Sequence, residues 1–293
     1  MTTPRSSPLP PARALARSLG VFHNISYYAP EMKAFADVGL GEYWRAYMVY
    51  RAAPMGRVEA PVVTATFYNF APRVVEAALP SAWDKVTPAE AIALRDDCID
   101  RALQRALGDL IADDALVEAA DLAMEGMAEI SVGARPLFAA HLALPVPDPP
   151  HRRLWHACTL WREQRGDSHN LALAAADIDG VECHVLLAAK GVGGQEIISK
   201  IRGWTEPQWE AARTRLAERG LLNPDGSYTR AGRALRDSIE TQTDALSREP
   251  RDRLGPERCR RLADLMEPLM GQMISSGAVP GQWPPPVERA QSV

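Results

Sequence analysis

Residues 215–235 read Arg-Leu-Ala-Glu-Arg-Gly-Leu-Leu-Asn-Pro-Asp-Gly-Ser-Tyr-Thr-Arg-Ala-Gly-Arg-Ala-Leu. The pattern is helical as far as Arg219, and Gly220 supplies the stop that a helix C-terminus favours. Leu221-Leu222 and Ser227-Tyr228-Thr229 then flank Asn223-Pro224-Asp225-Gly226. Pro presets one turn dihedral, Asp bonds its own backbone and Gly accepts positive φ, so a short hairpin is predicted. A new helix opens at Thr229. Upstream, Thr205-Glu206-Pro207-Gln208 is a capping sequence with proline in the first turn, predicting a helix to about Arg219. A Gly203-Trp204 turn, a short helix near Gln195–Arg202 and a helix near Gly180–Ala189 precede it.

Helix, helix, turn, helix and a small β-wing make a winged helix-turn-helix. A similar order is written about 110 residues earlier. Trp44, Tyr50, Arg51 and Gly56 match Trp155, Trp161, Arg162 and Gly166, with one residue dropped before the glycine. Gly108–Asp114 lies over Gly220–Gly226, and Glu118-Ala119-Ala120 over Arg230-Ala231-Gly232. Thr87-Pro88-Ala89-Glu90 is a second capping box, opening a helix to about Leu107. Trp83 and Trp204 precede the two capping sequences. The fold expected is mainly α: two tandem winged helix-turn-helix domains with small β-wings, related by a pseudo-twofold internal repeat. Residues 18–146 are expected to form the first domain and 152–278 the second. A proline-rich linker at 147–151 joins them, and the Pro-rich ends at 1–17 and 279–293 are expected to be disordered tails.

The run 215–235 resembles the third helix, wing and following helix of MarR-type regulators. With "SYYAPE", "YRAAPMG", "TATFYNF", "LWHACTLWREQRGDSH" and "RGWTEPQW", the chain resembles the actinobacterial tandem helix-turn-helix family of about 280 residues, over nearly all of 18–282. That resemblance implies a fold and no settled function. Composition sets the outer bounds. A formal charge of −4 gives no basic footprint of the kind nucleic-acid binders carry. Four cysteines without CxxC spacing read as reduced thiols, and no apolar run is long enough for a membrane span. A cytoplasmic protein with no membrane partner is expected.

Duplex DNA is the partner the fold implies, and Thr205, Gln208, Arg213 and Arg215 are the candidate contacts. The residue chemistry opposes it. The start of the recognition helix carries Glu206 and Glu210, which phosphates repel, and the wing has no cation at its tip.

The second candidate site is the stretch 155–169. His156 and Glu163 fall on one face of a helix expected over Leu154–Arg165. Gly166 is expected to end it, Asp167 to cap the next helix, and His169 to sit in that helix's first turn. Arg162 and Arg165 complete a polar corner. Through the repeat, Arg51 matches Arg162 and Glu59 matches His169, so Arg51, Glu59, Arg162 and His169 are expected around one interdomain cavity for a small-molecule ligand. His23, Tyr28 and Tyr68 are further pocket candidates. A His/carboxylate pair suits acid–base work equally well; a metal or haem held by His156 and His169 would need a third ligand from Glu163, Asp167 or His23, and haem through a single His is a further possibility. No cofactor and no metal site is assigned. Two functions stand open: a ligand-responsive transcriptional regulator, or a winged-helix scaffold without DNA binding that uses the His/Arg/Glu pocket as an enzyme or cofactor site.

Overall fold

The computed structural model describes residues 11–192 and 195–280. Residues 1–10 and 281–293 of the expected tails, and Gly193-Gly194, lie outside the described residues. Residues 11–17 belong to helix α1 (Pro11–His23), and Val279 is buried, so these parts of the expected tails are instead folded. Then follow α2 (Ile25–Tyr28), α3 (Tyr43–Ala52), α4 (Ala60–Phe67), α5 (Pro72–Ala78), α6 (Pro88–Leu107), α7 (Asp114–Gly126) and α8 (Pro136–Leu142). The second half holds α9 (Pro150–Ala175), α10 (Glu182–Ala189), α11 (Gln195–Arg202), α12 (Glu206–Glu218), α13 (Arg230–Leu246) and α14 (Glu249–Ser275). Among the described residues the only β pairing is the isolated antiparallel bridge Leu222–Tyr228. It lies in the predicted hairpin, where Gly226 takes φ +82°.

Local signals place most of these helices. Thr87 caps α6 as predicted: its hydroxyl accepts from the Glu90 amide while Glu90 accepts from the Thr87 amide. Thr205 donates through its amide and hydroxyl to Gln208 Oε1 at the start of α12. The turn expected as a first-half wing is different. Residues Gly108–Ala112 form a 3-10 turn, and Asp113 Oδ1 accepts from the Ala115 amide to open α7. The acidic pair there is spent on a helix cap, and no apolar alternation is available to pair as strands.

The largest departure is α9. Gly166 does not end it; the helix runs 26 residues and buries fifteen of them. Glycine inside a helix costs only about 1 kcal/mol relative to alanine, which burial on that scale readily offsets. The proline run before it does not separate two bodies either, because Pro150 stands in the first turn of α9. Leu154, Trp155 and Trp161 of α9, with Leu262, Met266 and Met273 of α14, join the core of the first half. A second, smaller core begins at Ala172 and gathers α10–α13. The cores therefore meet within α9, rather than across the expected linker at 147–151.

The seam between them is knitted by the segment Thr66–Arg73. Tyr68 Oη donates to Ile178 O at 2.6 Å, and Asn69 O accepts from both His184 Nε2 and Trp204 Nε1 at 3.0 Å. The Ala71 amide donates to Arg202 O, and Arg73 Nε to Gly203 O. Gly180 lets the chains touch: a Cβ there would stand 2.3 Å from Tyr68 O and 3.2 Å from the Trp204 ring. Gly180→Ala is expected to cost about 1–3 kcal/mol through this overpacking. An unchanged thermal midpoint would show that the seam is looser than described.

Candidate functional site

Arg51 comes from the last turn of α3 and Arg162 and Glu163 from the middle of α9, and the seam brings them together. Arg51 Nη2 donates to Glu163 Oε2 at 3.2 Å, and Arg162 Nη1 to Oε1 at 2.5 Å. The Glu163 side chain is 2% exposed. Burial raises its pKa, but the charges of Arg162 and Arg51 outweigh this and hold it well below the ordinary carboxylate range. Each guanidinium also covers an aromatic face: Arg51 lies 4.3 Å from the Phe67 centroid and Arg162 5.7 Å from that of Tyr27. Tyr47 Oη accepts from Arg51 Nη1 at 3.1 Å. Burial raises the Tyr47 pKa, but Arg51, Arg202 and Arg162 reverse the shift, leaving the phenol below its ordinary value.

His23 lines the inner end of this cluster. The Thr159 hydroxyl donates to Trp155 O, so it can only accept from His23 Nδ1, 2.9 Å away. Nδ1 therefore carries the proton. Burial first, then Arg162, keeps the ring neutral, leaving Nε2 to accept from Tyr27 Oη at 2.9 Å. The cavity bounded by His23, His141, Arg95 and Glu163 holds only about 10 Å³, room for roughly one water. The inner end is thus closed by its own side chains, whereas Arg162 keeps 27% of its side chain exposed toward the outer end.

The other predicted residues go elsewhere. Asp167 is a cap, though of α8: its Oδ2 accepts from the Leu137 and Phe138 amides at 3.0 Å. His169 faces α13, where its Nδ1 meets Thr243 Oγ1 at 2.9 Å, and Arg165 pairs with Asp244 at 2.8 Å and Glu240 at 3.3 Å. His156 lines a surface groove with Arg95, Asp96 and Val146. It shares a helix face with Glu163 as expected, but thirteen residues of α9, about 20 Å, separate it from His169. The single polar corner is divided among four separate places because α9 does not break. Among the described residues no three His, Cys, Asp or Glu side chains gather as a metal set. Glu59 is exposed at the start of α4 and does not match His169 in space. Tyr68 is a structural tie, and Tyr28 lines a cavity of about 500 Å³ with Tyr27, Tyr43 and Met32.

One seam residue escaped the sequence reading. Arg202, the last residue of α11, lies over Phe70 at 4.2 Å, and its buried Nε has no hydrogen-bond partner. Burial, with Arg51 and Arg162 close by, pushes its pKa below the ordinary value. Its only sequence signal was its place before Gly203-Trp204.

The helices α10, α11 and α12, a turn closed by the Leu222–Tyr228 bridge, and α13 form one compact unit around Trp209, Leu216 and Ile239. A family model described as a helix-turn-helix family matches residues 12–280. The chain belongs to this helix-turn-helix family. No curated protein and no solved structure matches it. In this member, the cations of α12 are committed. Arg213 pairs with Glu210 at 2.8 Å, and Arg215 with Asp179 at 2.7 Å and Glu182 at 2.9 Å. Thr205 and Gln208 serve the cap. Asp179 and Glu182 themselves form a capping pair at the start of α10, a local signal that sequence reading missed. Among the described residues, no helix is long and apolar enough to cross a membrane.

Proposed function

We propose that this helix-turn-helix protein is a ligand-responsive transcriptional regulator. In this reading α10–α13 form a winged helix of the MarR kind, with the bridged turn as its wing and duplex DNA as its partner. A small molecule binds where Arg51, Arg162 and Arg202 meet. The observation that carries the reading is the position of Arg202. It ends the helix immediately before the helix-turn-helix turn, yet its side chain faces the first-half core. An occupant of the seam would bear directly on the placement of α12. The helix order α3–α8 parallels α9–α14, which supports a tandem repeat and a single-chain mimic of a dimer. The test is capture of genomic fragments by the full-length chain, followed by titration of bound duplexes against salt. A regulator loses affinity steeply with salt as counterions return to the phosphates. Recovery of no specific duplex would sink the reading.

A second reading has its own observation. Every arginine named on α12 is already paired with a carboxylate of this chain, and Glu206 is left exposed on the first turn. A winged-helix scaffold that has lost DNA predicts no duplex binding at about 50 mM salt, with seam binding retained.

A further inference from the structure

We infer that the outer end of the seam is a binding site for a small, doubly charged oxyanion, such as a dicarboxylate or a phosphate monoester, held by Arg202, Arg162 and Arg51. The inference rests on the reading of the seam as a ligand site and gives its ligand a chemistry.

The charge count comes first. Arg51, Arg162 and Arg202 converge from α3, α9 and α11 on a connected set of rings, Tyr27, Tyr47, Phe67 and Phe70. Among the described residues, Glu163 is the one carboxylate bonded to them. Of the other titratable groups facing the cluster, burial favours the neutral form of Tyr27, Tyr28, Tyr43, Tyr50, His23 and His141, whereas the three arginines pull the Tyr47 phenol below its ordinary value. Asp167, the next acid along α9, is spent on the α8 amides. Three guanidiniums thus face one bonded carboxylate in a partly dehydrated place, where uncompensated charge is costly.

The donor inventory agrees. Glu163 occupies donors of Arg51 and Arg162 but none of Arg202 among the described residues. The Arg202 guanidinium carbon lies 4.2 Å from the Phe70 centroid, and a guanidinium whose N–H groups are not engaged by a carboxylate can meet an oxyanion bidentately. The buried Arg202 Nε has no hydrogen-bond partner among the described residues, and its N–H is a donor such an oxygen could accept from. A monoanion would leave one charge uncompensated, so two charges on one ligand fit best. The same occupant would tie α11 to α3 and α9.

The test is isothermal titration of the full chain, at constant ionic strength, with inorganic phosphate, malonate, acetate and chloride. One site per chain for phosphate or malonate is expected, at least tenfold tighter than for acetate. Preference for phosphate indicates a phosphorylated ligand, and preference for malonate a dicarboxylic one. Arg202→Gln should weaken binding at least tenfold, with Arg202→Lys intermediate, while circular dichroism stays native. No saturable binding of either dianion, or equal binding by a folded Arg202→Gln chain, would overturn the site. If the dianion binds but no duplex is captured, the site stands and the regulator reading falls. Duplex binding without any dianion site removes this inference alone.

Discussion

Glu163→Ala is expected to lower the stability of the chain by about 3–5 kcal/mol, the cost of stranding buried charge. Folded domains hold only about 5–15 kcal/mol in all, so one methyl-for-carboxylate exchange should remove a large share. The carboxylate is 2% exposed and bridges Arg51 to Arg162, which reach it from α3 and from its own helix. Without it, three guanidiniums share the seam with no anion bonded to them. Water cannot enter the inner end freely, since the cavity there takes roughly one molecule. Glu163→Gln keeps the volume and one acceptor but not the charge, and should fall between wild type and alanine. The check is urea unfolding of all three proteins. A loss under about 1 kcal/mol for the alanine variant would mean the pair is hydrated and worth no more than a surface bridge.

Much of the architecture was written locally. The helices α6, α11, α12 and α13 follow the sequence expectation within a residue or two, because capping residues, N-terminal prolines and terminal glycines act over one turn. The bridged turn at 222–228 is of the same kind. What escaped depended on distant partners. Gly166 carries a stop signal of about 1 kcal/mol, and only the burial around α9 reveals that the signal loses. Asp167 was expected to cap a helix following Gly166, but it lies inside α9 and the amides it accepts from are some thirty residues upstream, at Leu137 and Phe138. The convergence of Arg51 on Arg162 was legible because the two positions were paired through the expected repeat. His169 and Glu59 were paired through the same expectation and do not meet, since one faces α13 and the other solvent. Arg202 was illegible for another reason: its importance lies in the partner it lacks, and that is a property of the assembled seam.

The histidines make the second large prediction, a steep loss of stability between pH 6.5 and 5. Burial is the leading cause in each case, and it holds the neutral form. His141 and His184 fall to about 3 and His156 and His169 to about 4, while His23 is also lowered well below 6.5. The sign follows from linkage. A depressed folded pKa means the unfolded chain takes the proton first, so the stabilisation is complete above 6.5 and disappears as pH falls toward the folded values. Each such histidine loses about 1.4 kcal/mol per pH unit below 6.5, or roughly 2 kcal/mol by pH 5. Asp167 works in the opposite direction. Burial lifts its pKa to about 6, so its contribution is present at low pH and is lost as pH rises through 6. One such carboxyl offsets at most one or two histidines. The net loss from pH 7.5 to 5.0 should therefore reach several kcal/mol, close to the whole stability of an ordinary domain. Urea midpoints at the two pH values would measure it, and equal midpoints would refute neutral burial. His156→Gln isolates one contribution cleanly, because that ring has no hydrogen-bond partner among the described residues and glutamine cannot titrate. It should leave stability at pH 7.5 nearly intact and recover about 2 kcal/mol at pH 5. The same change leaves the arginine seam untouched, which separates the acid response of the fold from any response of the ligand site.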